Sequence, residues 1–112
     1  MPTTAPQALS FSHCETVTVD GRDIELEISC RAMLDHDEEG WWMSGVEPGG
    51  VLEGSSCAAK AALGFQAALG EILREFAREA RHETELRERV AKFVAEKDEY
   101  AEGRWEAARA AA

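Results

Sequence analysis

Cysteine and histidine are the side chains of this sequence best suited to bind zinc or to form a nucleophile with its base. None of them lies at the C-x2-4-C or H-x3-5-H spacing by which a short loop supplies two zinc ligands. A nucleophilic cysteine needs a base that is close in space, which spacing alone does not decide. We expect ordinary core or surface positions, and we predict no catalytic residue, metal site or cofactor. The residues concerned are Cys14, Cys30, Cys57, His13, His36 and His82.

A second candidate for chemistry is the acidic run around His36, formed by Asp35, Asp37, Glu38 and Glu39 and ending in a glycine. Its carboxylates could bind a metal ion or act as a catalytic pair. Calcium loops require the D-x-[DN]-x-[DN]-G arrangement with a distal glutamate, which is absent here. The composition favours a solvated hairpin turn. An acidic patch facing a partner and a metal site are the alternatives.

Two adjacent tryptophans, Trp41 and Trp42, must point to opposite faces if they lie in a strand. One of them is then expected in the core. We expect the other on the outer face with Glu25 and Glu27 or their neighbours, where an exposed aromatic is a typical binding anchor. Burial under the C-terminal helix or in a homodimer is the alternative. Trp105 is expected either to contact another chain or to pack loosely.

The charge of the chain limits its partners. Its 112 residues include 22 acidic and 12 basic side chains, which gives a formal net charge of −10. Residues 21–56 hold nine carboxylates against Arg22 and Arg31. Such a surface repels phosphate backbones. Direct binding of DNA or RNA is therefore disfavoured, and a basic protein partner is favoured.

Length and cysteine count indicate one small domain in a reducing compartment. A chain of this length has room for one hydrophobic core. An odd number of cysteines and an N terminus without a signal-peptide pattern predict a cytoplasmic protein with free thiols. No apolar run approaches the roughly 18–20 residues that span a bilayer. Residues 1–13 are expected to be a flexible segment and residues 14–80 the folded domain.

Local periodicity predicts a β-hairpin near the N terminus. Residues 16–19 and 24–28 alternate polar and apolar side chains, as half-buried strands do. Asp20-Gly21 between them is a preferred two-residue turn. This register pairs Val17 with Ile24 and Glu15 with Leu26, so the apolar side chains share one face. The opposite, solvent-facing side is expected to carry Thr16, Thr18, Asp23, Glu25 and Glu27.

Further strands and a helix follow the hairpin. Aromatic and β-branched residues favour a third strand at residues 41–46, and residues 51–53 form a short fourth strand after the break at 48–50. Ser55 or Ser56 is the expected N-cap of a helix. The predicted fold is α+β: a three- to four-stranded antiparallel sheet packed by one helix, followed by a long C-terminal helix. The apolar stripe of the packed helix is Ala58, Ala62, Phe65, Leu69, Ile72, Leu73 and Phe76.

Residues 81–112 are rich in Glu, Arg and Ala and predict a charged helical extension. It either continues the first helix or begins near Thr84 as its N-cap. Pairs at i,i+4 such as Glu83–Arg87 support helix formation. The thin apolar stripe either ties a solvated helix to the domain or is a surface for self-association. The residues of this oligomerisation surface would be Leu86, Val90, Phe93 and Tyr100.

The order of strand, turn, strand, proline-glycine turn, strand and helix resembles the HicB-like antitoxin domain. The resemblance lies in residues 39–63, E-G-W-W-M-S-G-V-E-P-G-G-V-L-E-G-S-S-C-A-A-K-A-A-L. That family has a glycine, an aromatic strand, a Pro-Gly-Cys turn, a short strand and Gly-Asp-Thr opening an Ala- and Leu-rich helix. Gly54 stands at the family glycine and Ser56 at the capping threonine. Residues 48–69 follow the family spacing without a gap, and the likeness covers residues 22–76.

The resemblance implies a partial ribonuclease-H-like sheet with one packed helix, no catalytic residues and often a dimer. HicB-like proteins bind a small basic ribonuclease toxin and cover its active site. Gly50 departs from the family by replacing its cysteine, and Ser55 by replacing its aspartate. Where many members continue with a strand or end in a DNA-binding module, this chain continues with acidic, alanine-rich helical sequence.

These features predict a non-enzymatic, cytoplasmic protein that neutralises a basic, nucleic-acid-acting partner by stoichiometric binding. The alternative is an acidic inhibitor of phage type that mimics nucleic-acid charge in a host defence complex. An enzyme or metal protein would need converging titratable groups that the sequence does not bring together. We predict no direct binding to nucleic acid or membranes. The predicted partner-binding residues are Asp35, Asp37, Glu38, Glu39, Glu25, Glu27 and Trp42.

Overall fold

The structure, a computed structural model, describes residues 5–111 and contains four strands followed by three helices. The strands are β1 (Gln7–Val19), β2 (Arg22–Asp37), β3 (Gly40–Glu47) and β4 (Gly49–Ser55). The helices are α1 (Ala58–Glu79), α2 (Glu83–Ala95) and α3 (Glu99–Ala111). The strands form one antiparallel sheet in the order β1-β2-β3-β4. The predicted α+β class is therefore confirmed, with the helical C-terminal region divided into two helices.

β1 and β2 form the predicted hairpin in the predicted register. Both predicted pairs are found, Val17 with Ile24 among them. Asp20 and Gly21 have φ angles of 53° and 72°, the left-handed values that this two-residue turn needs at both positions. Because side chains alternate along a strand, the apolar residues of the hairpin are buried on one face and the polar residues are exposed on the other.

α1 covers the apolar face of the sheet. Phe65, Leu69 and Leu73 are fully buried in one hydrophobic cluster with Ile24 and Ile28 of β2. Burial of each such side chain contributes about 1.5–3 kcal/mol relative to exposure. The helical stripe predicted from the sequence therefore faces the sheet.

The predicted N-cap of α1 is wrong. β4 extends through Ser55, which pairs with Trp41 of β3, so this serine is still part of the sheet. The N-cap residue is Cys57, which makes no side-chain capping hydrogen bond. The helix is stabilised by burial of its apolar face and not by a side-chain cap.

The helical extension does not continue α1. The chain bends at residues 80–82, and α2 begins with His82 as N-cap, whose Nδ1 accepts a hydrogen bond from the Glu85 N–H at 3.2 Å. Thr84, the predicted cap, lies inside α2. α2 packs against α1 and alongside residues 26–29 of β2. These residues lie outside the part of β2 that pairs with β3, which is residues 31–37.

Residues 96–98 carry the chain from α2 to the opposite face of the sheet. The Gly49 N–H donates to the Glu96 carbonyl and the Asp98 N–H donates to the Val46 carbonyl, both at 2.9 Å. A side chain at Gly49 would begin 2.8 Å from the Asp98 nitrogen. Only glycine permits this close approach of the connection to the β3–β4 turn.

α3 packs on the face of the sheet opposite to α1. Ala101 and Trp105 form a second hydrophobic cluster with Met33 and Val46. The Trp105 Nε1–H also donates to the Leu9 carbonyl at 3.0 Å. The outer face of the sheet, expected to be solvated, is thus covered by α3 at one end and open at the hairpin end.

The segment expected to be flexible is in part a strand. β1 begins at Gln7, and residues 7–13 pair with residues 28–34 of β2, because the length of β2 offers backbone partners to them. Residues 81–111 pack on the sheet and belong to the same body as the domain. Of the remainder of the predicted flexible segment, residues 5 and 6 are exposed and precede β1, and residues 1–4 lie outside the described residues. Within residues 5–111, no helix is long and apolar enough to cross a membrane.

Candidate protein-binding surface

The acidic hairpin face is the uncovered side of β1 and β2 near their turn. α1 packs on the other side of these strands, and α3 meets the sheet around Met33, toward the far end of β2. The face is formed by strand residues that alternate with buried ones, so the core beneath it holds its backbone in place. It consists of the exposed side chains Thr16, Thr18, Asp23, Glu25 and Glu27.

The carboxylates of the acidic hairpin face form no ion pair with the described part of the chain. Within residues 5–111, no basic nitrogen lies within 4.0 Å of the Asp23, Glu25 or Glu27 carboxylates. Asp23 accepts a hydrogen bond from the Thr18 hydroxyl at 2.9 Å, which orients the carboxylate and leaves its charge in place. Alternate residues of a strand lie about 6.6–6.8 Å apart. Glu25 and Glu27 therefore form a short row of exposed negative charge.

The arginines of α1 and α2 are used elsewhere. They pair with carboxylates of the helices or of the α1-facing side of β1, which removes them from the acidic hairpin face. Exposed pairs of this kind contribute little to stability. They do determine which parts of the surface keep an excess of negative charge, given the net charge of −10. Such pairs include Arg87–Glu83 at 2.7 Å, Arg89–Glu79 at 2.8 Å and Arg74–Glu15 at 2.9 Å.

The hairpin turn that the composition of the acidic run indicated is present but shorter than the run: residues 35–37 still belong to β2, and Glu38 and Glu39 form the β2–β3 turn. Asp37 accepts hydrogen bonds from the Glu39 and Gly40 amides at 2.8 and 3.2 Å. The nearby Trp42 indole N–H and these amides lower the pKa of the Asp37 carboxyl. The Asp37 side chain thus stabilises the turn, and its carboxylate is already occupied by backbone donors.

Asp35 is also engaged within the chain. Arg104 of α3 donates to its carboxylate at 2.7 Å, and the His36 amide donates to its other oxygen at 2.8 Å. The turn therefore leaves Glu38 and Glu39 as exposed carboxylates. Of the four acids predicted here as partner-binding, two serve the fold.

The two tryptophans lie on opposite faces, as predicted for neighbours in a strand. Trp41 packs at the margin of the main core, with its ring 4.7 Å from that of His36. Trp42 lies on the outer face and its ring is half-buried against Gly54 of β4. Its Nε1 is buried and makes no hydrogen bond of ordinary geometry within residues 5–111, although it lies close enough to Asp37 to favour the ionised carboxylate.

The predicted partner-binding residues do not form one surface. Trp42 pairs with Asp35 at the turn end of β2, whereas Glu25 and Glu27 lie eight to ten residues back along the same strand. At about 3.3 Å per residue, this places them roughly 26–33 Å from Trp42. The expectation that an outer-face tryptophan lies beside Glu25 and Glu27 is therefore wrong. This expectation failed because the sequence did not show how far β2 extends on the N-terminal side of the residues that pair with β3.

The predicted oligomerisation stripe is largely internal. Leu86 and Val90 belong to the main core, and Phe93 is half-buried with its ring 5.5 Å from that of Phe76 in an edge-to-face contact. Tyr100 is 78 % exposed. Leu86 and Val90 cannot contact a second chain without leaving their own core, so this part of the prediction is wrong.

The cysteines and histidines occupy separate environments. Cys30 is buried, which raises the pKa of its thiol to about 11, and Cys14 is exposed. His13 is buried, and its Nε2 lies 3.0 Å from the Glu15 carboxylate. Among residues 5–111, no three His, Cys, Asp or Glu side chains are grouped as a metal site would require.

Sequence reasoning missed a cluster around Arg31. Its guanidinium donates to Glu47 at 3.1 Å and to Glu102 of α3 at 2.7 Å, and it lies 5.0 Å from the centre of the Trp105 ring. The hydrogen bond from Arg31 is the main cause that lowers the pKa of the Glu102 carboxyl. These residues come from three elements far apart in sequence, so no local pattern indicated the cluster.

Comparison with known proteins adds no relative. No protein-family model matches the chain, and neither a curated protein nor a solved structure matches it significantly.

Proposed function

We propose that this chain is a non-catalytic binding module, similar in role to a HicB-like antitoxin, that neutralises a basic, nucleic-acid-acting protein by stoichiometric binding. The acidic hairpin face is the binding surface. One observation carries the proposal: Asp23, Glu25 and Glu27 are exposed on a rigid strand face, and within residues 5–111 no cation of the chain pairs with them.

A surface of this kind fits a basic partner for two physical reasons. Unpaired carboxylates create a negative potential that steers a basic protein and accelerates its association. The β-hairpin beneath them is fixed by the core, so little ordering is needed on binding. Thr16 and Thr18, which lie on β1 opposite Glu25 and Asp23, add hydroxyl groups that can accept hydrogen bonds from arginine or lysine.

The acidic turn at Glu38 and Glu39 contributes less under this proposal. It is a loop at the other end of the sheet, and two of its carboxylates are occupied by Arg104 and by backbone amides. Exposed charge on a rim of this type changes the association rate and its salt dependence more than it changes residence time.

Capture from a lysate of the source cells, with two charge-reversed variants of equal net charge, tests the proposal. The variant E25K/E27K alters the acidic hairpin face, and E38K/E39K alters the turn by the same change in charge. We expect the unaltered chain and E38K/E39K to retain one basic protein in about equal molar amount, and E25K/E27K to lose it. Addition of about 0.5 M salt should also release it. At that ionic strength the Debye length is only a few ångströms, so the attraction between exposed charges is screened.

Three outcomes would contradict the proposal. One is retention of the same protein by E25K/E27K, and another is capture of no basic protein by the unaltered chain. The third is capture of a large nucleic-acid-binding complex, which would favour charge mimicry by an inhibitor of phage type.

A further inference from the structure

The outer edge of β1 is a long strand edge without a partner in the part of the chain that the structure describes. β1 is at the margin of the sheet and spans 13 residues. Within residues 5–111, β2 is the only strand paired with β1, and no backbone hydrogen bond from any further element reaches residues 10–18. Exposed edges of this length template pairing with another chain unless the sequence protects them.

β1 lacks the features that normally protect an edge. It contains no proline, its pairing with β2 has no register irregularity, and its one carboxylate, Glu15, is paired with Arg74 of α1 at 2.9 Å. The opposite edge strand, β4, has 7 residues, three of them glycines, and an irregular register against β3. The two edges therefore differ in how they are protected, and β1 is the unprotected one.

The backbone groups that face outward can be assigned from the hairpin turn. In a two-residue hairpin, the residues that flank the turn, Val19 and Arg22, form a hydrogen-bonded pair. Because the pattern alternates, the odd-numbered residues of β1 bond to β2 and the even-numbered residues point their N–H and C=O groups outward. The outward-facing residues, whose side chains are all exposed, are Ser10, Ser12, Cys14, Thr16 and Thr18.

We propose that this edge of β1 pairs antiparallel with the same edge of a second copy, with Cys14 on the two-fold axis, to form one continuous sheet. The proposal is independent of the proposed function. Since both copies lie in one sheet, the two acidic hairpin faces point to the same side and remain open.

Charge and side-chain pairing favour a second copy as the occupant. Each chain carries a net charge of −10, but β1 is a neutral strip within it, because Arg74 compensates Glu15. With Cys14 opposite Cys14, Ser12 faces Thr16 of the second copy, a favourable cross-strand pair. His13 then faces Glu15 of the second copy, so an imidazole lies opposite a carboxylate.

Other registers pair worse. A register centred on Glu15 places the two Glu15 carboxylates directly opposite each other, which is destabilising. A register centred on His13 places Glu15 opposite Phe11. The neutral edge of β1 also carries no net charge that would attract the basic partner proposed for the acidic hairpin face. The positive charge of that partner would be matched elsewhere on the molecule.

Sedimentation equilibrium of the full chain tests the dimer, with S12K/T16K as the disrupting variant and E38Q/E39Q as its control of equal charge change. We expect the unaltered chain and the control to be dimers. In S12K/T16K, each lysine faces a lysine of the second copy, so the dissociation constant should rise about tenfold or more. Circular dichroism and thermal unfolding of S12K/T16K should remain those of a folded chain, since both positions are exposed.

A bismaleimide cross-linker tests the register. In a C57S background we expect it to join two chains through Cys14 and not to do so in C14S/C57S. A chain that sediments as a monomer at about 100 µM overturns the proposal, as does a dimer that S12K/T16K leaves unchanged. A dimer that is lost in S12K/T16K but not cross-linked at Cys14 overturns the register. A monomer whose S12K/T16K variant loses a captured protein assigns the edge to a different partner.

Discussion

At the scale of residues, the side chains that organise this molecule are Arg31 and the tryptophan and glutamate around it. Arg31 lies on the outer face of β2 and contacts Glu102 and Trp105 of α3. A half-buried guanidinium with two carboxylate partners is a stronger contact than an exposed pair, because its donors form a fork that fits carboxylates. It anchors α3 to the sheet at the point where the solvated part of the outer face begins.

The acid dependence of stability reports on this cluster. The hydrogen bond from Arg31 lowers the pKa of Glu102 in the folded state below its ordinary value of 4.5. The stabilisation is therefore present above that value and is lost as the pH falls through the folded-state pKa. We expect Glu102→Gln to be less stable than the unaltered chain near neutral pH, and the difference to shrink as the pH falls from about 6 to about 3.

Urea denaturation across this pH range measures the effect. Glu38→Gln serves as control, since Glu38 is exposed in the β2–β3 turn. If Glu102→Gln loses the same free energy of unfolding with acid as the unaltered chain, the ion pair with Arg31 does not contribute in the folded state.

Single residues were the features least well predicted from the sequence. Serine is a good N-cap in general, but Ser55 is held in β4 by pairing with Trp41, and Cys57 takes the cap position. Likewise, Thr84 follows a histidine whose ring already accepts the capping hydrogen bond. In the first case a neighbouring strand decided the boundary, and in the second a different local residue, His82, supplied the cap.

At the scale of elements, the turn and the register of the β1–β2 hairpin could be predicted, but the start of β1 at Gln7 and the position of α3 could not. The hairpin is defined by alternation and by Asp20-Gly21, which are local features. α3 is largely polar and alanine-rich, so its few apolar residues did not reveal which face of the sheet it covers. Its attachment depends on Trp105, whose partners in the sheet are 59 or more positions away in the sequence.

Removal of the Trp105 ring should detach α3. The residue is 5 % exposed and its Nε1–H donates to the Leu9 carbonyl. We expect Trp105→Ala to lower the free energy of unfolding by about 3–5 kcal/mol. The matched control is Tyr100→Ala in the same helix, which should change it by about 0.5 kcal/mol or less because Tyr100 is exposed. Equal effects of the two variants in urea denaturation would show that α3 is not docked through Trp105.

α2 can be tested in the same way. Leu86 is fully buried in the main core, so Leu86→Ala should cost about 2–5 kcal/mol through lost burial and a cavity. Leu63→Ala in α1 is the control, because Leu63 is 66 % exposed and its truncation should have little effect. A thermal unfolding transition that Leu86→Ala leaves unchanged would mean that α2 is a solvated helix, free to associate with another chain.

At the scale of the whole molecule, the sequence predicted the sign of the charge but not its distribution. The excess of acids favoured a basic partner, and the predicted site combined the acids of residues 35–39 with Glu25, Glu27 and Trp42. Two carboxylates of residues 35–39 serve the fold, whereas within residues 5–111 the three carboxylates of the acidic hairpin face are exposed and form no ion pair. Only the arrangement of the helices decides this, because α3 covers one end of the outer face and leaves the other open.

The central claim is that the acidic hairpin face is the surface that contacts a basic partner. Hydrogen–deuterium exchange of the chain, alone and with the basic protein that it captures, tests it most directly. The account predicts that binding slows exchange in peptides that cover residues 14–27 and leaves residues 36–41 of the β2–β3 turn unchanged. Slower exchange confined to the turn, with none in the hairpin, would contradict it.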